Sequence, residues 1–192
     1  MGGPPGPARQ SVAARRDPRL SEPLFPELDV RRPEAVDRPG FLIRTDGAAR
    51  GNPGPASLGA ALFDLRRPDA RDPRAQPDAS ISEYLGIQTN NVAEYTGTLR
   101  ALGLARELGA REVELLLDSK LIVEQLSGRW RVKDAKLLPL WSACRQTLAG
   151  FDRWSAAHVP RAQNSVADAL ANQAIDRVSV GGPAVVVVRP PS

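Results

Sequence analysis

Phe41 to Pro55 reads FLIRTDGAARGNPGP, and its one carboxylate is that of Asp46. Phe41 to Arg44 has the composition of a strand that feeds a buried sheet. Thr45-Asp46-Gly47 then runs into a turn punctuated by glycine and proline. An aspartate at the end of a central strand sits where apolar walls meet solvent, so ionising it is costly unless a cation or a donor compensates. On this stretch alone two readings of Asp46 stay open: a side chain that caps the turn, or one of several carboxylates gathered at the end of a sheet.

Downstream, Ser57 to Leu65 reads as a second strand and Ile81 to Ile87, with alternating apolar residues, as a third, which makes an antiparallel meander. Between them, Arg66 to Ala79 is polar, carries three prolines and reads as an enlarged hairpin loop. Val92, Tyr95, Leu99, Leu102 and Leu108 recur near helical spacing, with Asn90 or Asn91 as the cap and Gly109 as the stop. The run EVELLLD over Glu112 to Asp118 is the mark of a strand covered on both faces. Lys120 to Leu126 and Asp134 to Ala149 read as helices, the second tolerating Pro139 only near its start or at a kink. Trp154 to Val159 gives a fifth strand. Asn164 to Val178 is amphipathic, with Val166, Leu170, Ala174 and Val178 on one stripe. The expected architecture is one α/β domain over residues 39–178, a five-stranded mixed sheet with helices on both faces.

Residues 1–38 are rich in Pro, Gly and Arg and poor in large apolar residues, so a solvated, disordered tail is expected there. A second tail is expected over 179–192, where the Val185–Val188 run is too short to place. The 192 residues carry a net charge of +4, only weakly in favour of a polyanionic partner. No membrane-spanning run or signal-like segment is visible. Cys144 is the single cysteine, which excludes an internal disulfide and any cysteine-based metal cluster, and the expected compartment is the cytoplasm.

Asp118 ends the fourth strand, and in an open α/β sheet ligands bind outside the carboxyl ends of parallel strands. Asp46 and Asp118 would therefore lie side by side if their strands are neighbours. Glu94 and Asp168 each fall in the first turn of a helix, where an acid also complements the helix dipole and needs no catalytic role. Several carboxylates in one cleft shift their pKa values or bind hard cations, and an oxygen-rich set with one histidine suits Mg²⁺ or Mn²⁺ better than zinc.

Four motifs in order, Asp46-Gly47 with Gly51-Asn52-Pro53-Gly54, Thr89-Asn90-Asn91-x-Ala93-Glu94-Tyr95, Asp118-Ser119, and His158-Val159-Pro160-Arg161 followed by Asn164-x-x-Ala167-Asp168-x-Leu170-Ala171, resemble type 1 ribonuclease H in its short form without the basic insertion. The resemblance covers about Phe41 to Arg177. It implies a ribonuclease H-like fold and an enzyme that cuts the RNA strand of RNA–DNA hybrids, leaving 5′-phosphate and 3′-hydroxyl ends. It implies that Asp46, Glu94, Asp118 and Asp168 hold two Mg²⁺ ions (or Mn²⁺), with His158, on a flexible loop, assisting proton transfer or product release.

Asn52, Asn90 and Asn91 would sense the 2′-hydroxyl, and Thr89 resembles a phosphate-pocket threonine. Trp130, Arg131 and Lys133 would meet the DNA strand, Trp130 by stacking and the cations along its phosphates; a helix junction with Trp130 in the core is the structural alternative. A monomer is expected, with no membrane partner. The rival classes are a related metal-dependent DNA nuclease and a non-catalytic hybrid-binding module.

Overall fold

The computed structural model describes residues 39–191, so the tail expected over 1–38 lies outside the described residues. Strands β1 (Gly40–Ala49), β2 (Gly54–Asp64) and β3 (Ala79–Gln88) form the expected antiparallel meander. Helix α1 (Asn90–Glu107) leads to β4 (Glu112–Leu117), and helices α2 (Lys120–Leu126) and α3 (Leu138–Leu148) lead to β5 (Arg153–His158). A 3₁₀ turn (Arg161–Gln163), α4 (Ser165–Ser179) and β6 (Val185–Val188) complete the described chain. The sheet order is β5-β4-β1-β2-β3-β6, with β4 parallel to both β1 and β5.

Both faces of β1 are covered, whereas β4, the EVELLL strand expected to be covered on both faces, alternates buried and half-buried residues. Leu42 and Ile43 are consecutive and both fully buried, which requires apolar cover on each side of β1. Ile43, Leu58, Leu62, Val113 and Leu115 pack with α1 to α3. Leu42 and Phe63 pack on the other side with Val166 and Leu170 of α4 and with Ala70 and Ala75 of the β2–β3 loop. That loop is therefore part of the second core, although its sequence is polar. The Arg67 guanidinium fixes it by pairing with Asp69 at 2.7 Å and Asp78 at 2.9 Å.

Four expectations change. The sheet has six strands rather than five, because Val185–Val188 pairs antiparallel with Ser80–Glu83 on β3. The segment 179–192 is thus no simple tail: α4 runs to Ser179, and Arg177 donates to the carbonyls of Pro183 (2.7 Å) and Ser82 (2.8 Å), pinning the return. Helix α3 starts at Leu138 rather than Asp134, with Pro139 in its first turn, where a missing N–H costs nothing. The cap of α1 is neither Asn90 nor Asn91 but Thr89, whose hydroxyl accepts from the Val92 N–H at 3.4 Å. Among the described residues, no helix is long and apolar enough to cross a membrane.

Gly59, opposite Asp46 on β2, lets α4 rest directly on the sheet. A Cβ there would lie 2.1 Å from the Ala167 carbonyl oxygen and 2.5 Å from the Ala171 nitrogen, both backbone atoms. Gly59→Ala is expected to cost about 1–3 kcal/mol by overpacking. The readout is the melting temperature, and an unchanged value would contradict this contact.

Candidate active site

Parallel pairing brings the ends of β1 and β4 together, with Ile43 beside Leu115, and both chains then run on into the same cleft. Asp46 lies three residues past that pair, still within β1, where it faces Gly59 across the β2 ladder. Asp118 follows the last residue of β4. Asp46, Glu94, Asp118 and Arg161 line one cleft of about 430 Å³, together with Asn90 and Asn172. Asp168 stands at its edge, where its Oδ1 accepts from Arg161 Nη2 at 2.6 Å. Glu94 belongs to the second turn of α1 rather than the first, so a helix-dipole role does not account for it. It is brought to β1 by Gly47: a Cβ on that glycine would lie 2.5 Å from the Glu94 nitrogen.

The Asp46 side chain is buried, only 5% exposed. Its Oδ1 accepts from the Gly47 N–H at 2.8 Å, while Oδ2 is buried with no hydrogen-bond partner among the described residues. Burial, and then the charges of Asp118 and Asp168, push its pKa up to about 8, with Arg161 opposing. Glu94 is also raised, first by burial and further by Asp118. Hydrogen bonds from Ser119 Oγ (2.7 Å) and Asn90 Nδ2 (2.8 Å) to its two oxygens oppose that shift. Asp118 Oδ1 accepts from Asn164 Nδ2 at 2.8 Å.

The fit of this cleft to a metal rests on its chemistry. Among the described residues no three carboxylates or imidazoles converge as a ready cage. The donors are nonetheless carboxylate oxygens, and the orphaned Asp46 Oδ2 is a buried acceptor that a hard cation would satisfy. The set fits a hard divalent cation.

Asn52 Oδ1 accepts from the Asn90 N–H at 3.3 Å, so the turn after β1 is tied to the residue that holds Glu94. Asn91 is exposed, and Thr89 is engaged as the helix cap. Trp130 is 46% exposed rather than packed into the core, and Lys120 Nζ stands 6.0 Å from its ring centroid. With Arg131, Lys133, Leu138 and Trp141 it lines a separate groove of about 480 Å³. Arg129, on the same stretch, is instead committed to an ion pair with Glu124.

His158 departs from the loop placement that the resemblance implies and agrees with the strand expected over Trp154 to Val159. It is the last residue of β5, in register with Leu117, and its Nε2 lies 3.2 Å from the Asp118 carbonyl oxygen. It is a strand residue, not a loop residue. The loop beyond it presents Arg161, and the buried Asn164 behind that; reading the sequence for acids and histidine passed over both. Their signal lay within the fourth motif, in a cation seven residues and an amide four residues before Asp168.

A carboxylate-lined cleft at the ends of β1 and β4, in a sheet that begins with an antiparallel meander, defines a ribonuclease H-like α/β domain. A family model described as "Reverse transcriptase-like" matches residues 44–174. A ribonuclease H from Paracidovorax citrulli is 34% identical over 155 residues, 71% of this chain and 94% of that protein. The chain belongs to the type 1 ribonuclease H family.

A bifunctional protein of Mycobacterium tuberculosis is 44% identical over 135 residues, 70% of this chain but 35% of that protein, so the chain spans about a third of the length of the first curated relatives it matches. Among solved structures, RNase H1 from Halobacterium salinarum is 41% identical with a TM-score of 0.65, covering 71% of this chain and 98% of that one. LC11-RNase H1 in complex with an RNA/DNA hybrid is 35% identical with a TM-score of 0.64, covering 72% and 99%.

Proposed function

We propose that this chain is an endoribonuclease that hydrolyses the RNA strand of RNA–DNA hybrids, leaving 5′-phosphate and 3′-hydroxyl ends. The observation that carries the reading is the gathering of Asp46, Glu94 and Asp118 in one cleft, with Asp168 at its edge and with Asn90, itself tied to Asn52, donating to Glu94. Asp46, Glu94, Asp118 and Asp168 would hold two divalent cations, Mg²⁺ or Mn²⁺. When bound, such ions lower the pKa of an attacking water and offset charge on the leaving oxygen.

The chain's own residues then position and balance. Ser119 and Asn90 orient the two Glu94 oxygens, and Asn164 orients Asp118. Arg161 offsets carboxylate charge while the substrate phosphate approaches. Asn52, Asn90 and Asn91 present amides to the 2′-hydroxyl from the minor-groove side, with Thr89 at the same helix start. The exposed Trp130, with Arg131 and Lys133, would carry the DNA strand. His158, beside Asp118, is placed to move a proton near the end of β4. A cytoplasmic site of action is supported by Cys144, which is free and buried.

The test is cleavage of an end-labelled hybrid with Mg²⁺, beside matched duplex DNA, duplex RNA and a control with EDTA. The expected result is cutting confined to the RNA strand of the hybrid and lost with EDTA. Cutting of duplex DNA would replace this reading with a DNA nuclease. Binding without cutting, in Mn²⁺ also, would replace it with a non-catalytic module.

A further inference from the structure

Arg44 lies on β1 two residues before Asp46 and, by strand alternation, on the same face as Leu42 and Asp46. Its side chain is 1% exposed. Among the described residues the guanidinium meets no carboxylate: Nη1 donates to the Gln163 carbonyl at 2.6 Å, Nη2 to the Arg71 carbonyl at 3.3 Å, and Nε has no partner. Burying a charge without a counter-charge is unfavourable beside an apolar side chain of similar volume. Leu42, on the same face, packs in an apolar cluster. The fold alone would be served by an apolar residue at 44.

What an apolar residue cannot do is hold the Gln163 carbonyl. Gln163 ends the 3₁₀ turn, with Arg161 two residues before it and Asn164 immediately after. Arg161 reaches Asp168 at 2.6 Å, and Asn164 reaches Asp118 at 2.8 Å. The next residue of β1 grips the same turn, since the Thr45 carbonyl accepts from Asn164 Nδ2 at 2.9 Å. Arg44 also binds this turn to the β2–β3 loop through Arg71, whose own side chain pairs with Glu114 at 2.6 Å.

We infer that Arg44 is a positioning residue: by holding the Gln163 carbonyl it fixes the 161–164 turn and so aims Arg161 and Asn164 at the carboxylates of the cleft. This rests on the cleft being the hybrid-cleaving site proposed above. It gives the β2–β3 loop a part in the reaction, because the loop and the turn share one guanidinium.

The test compares wild type, Arg44→Met, Arg161→Gln and the double variant in hybrid cleavage, thermal melting and amide exchange. Arg44→Met is expected to lower kcat by about 10-fold or more, since small misplacements of catalytic groups are costly. KM should stay within about twofold, and the melting temperature should not fall. In the Arg161→Gln background the same substitution should cost less than it does in wild type, because the part that acts through Arg161 is already lost and only the part through Asn164 remains. Losses that multiply in the double variant, or wild-type kcat in Arg44→Met, overturn the inference.

Arg44→Lys, which keeps a donor for the Gln163 carbonyl, should recover part of the loss. Where Arg44→Met does not fold, Arg44→Lys decides by the same double-variant comparison. If wild type itself cuts no hybrid, the functional reading fails separately. Exchange at residues 163 and 164 then decides: faster exchange in Arg44→Met supports the inference, and unchanged exchange overturns it.

Discussion

Asp46→Asn should abolish hybrid cleavage, by on the order of 10³-fold or more, while leaving the fold intact. Asp46 is 5% exposed, and its Oδ1 accepts from the Gly47 backbone N–H at 2.8 Å. Asparagine keeps the shape and removes the charge, so packing is preserved while the buried oxygen that a cation would use becomes part of a neutral amide. Hybrid binding should hold or tighten, because one negative charge facing the phosphates is gone. Single-turnover cleavage beside a binding titration measures both. Cleavage within about tenfold of wild type would remove Asp46 from the chemistry.

The second large effect is on stability, and its sign follows from burial. The folded pKa of Asp46 is about 8, against an ordinary value of 3.8. A proton kept in the folded state and lost in the unfolded one stabilises fully below pH 3.8, and that stabilisation is lost as pH rises through 8. Without divalent cation, the melting temperature should therefore fall between pH 5 and pH 8, with Glu94, also raised, adding in the same direction. A divalent cation competes with that proton and offsets the buried charge, so saturating Mg²⁺ should raise the melting temperature more at pH 8 than at pH 5. In Asp46→Asn the metal-free pH slope should flatten. An equal gain from Mg²⁺ at both pH values would count against a cation at the Asp46 carboxylate.

Much of this arrangement was legible residue by residue. Lys120–Leu126 has the helix bounds that its sequence gives, because a glycine two residues on, Gly128 at φ +77°, stops it locally. The meander followed from apolar runs and turn residues, and the pairing of Asp46 with Asp118 followed from where two parallel strands end. Val185–Val188 was not legible as a strand. Four residues become one only because β3 offers an unpaired edge, which no local pattern announces. Trp130 could be read as core or surface because an aromatic at a helix junction suits either; its 46% exposure is a property of what fails to pack over it. The resemblance placed His158 on a loop, whereas the strand expected over Trp154 to Val159 already included it, and β5 does run to His158 with the loop beginning after it.

By itself the sequence determined the class of fold, and it put forward Asp46, Glu94, Asp118 and Asp168 as the candidate carboxylates. Those depend on hydrophobic period, turn chemistry and motif spacing, all of them local. Tertiary structure alone decided that Thr89 caps α1, that Arg161 and Asn164 attend the carboxylates, and that the buried Arg44 holds their turn from 119 residues away. The physical reason is that a buried charge or an orphaned oxygen takes its meaning from the groups that surround it, and the chain assembles those groups only on folding.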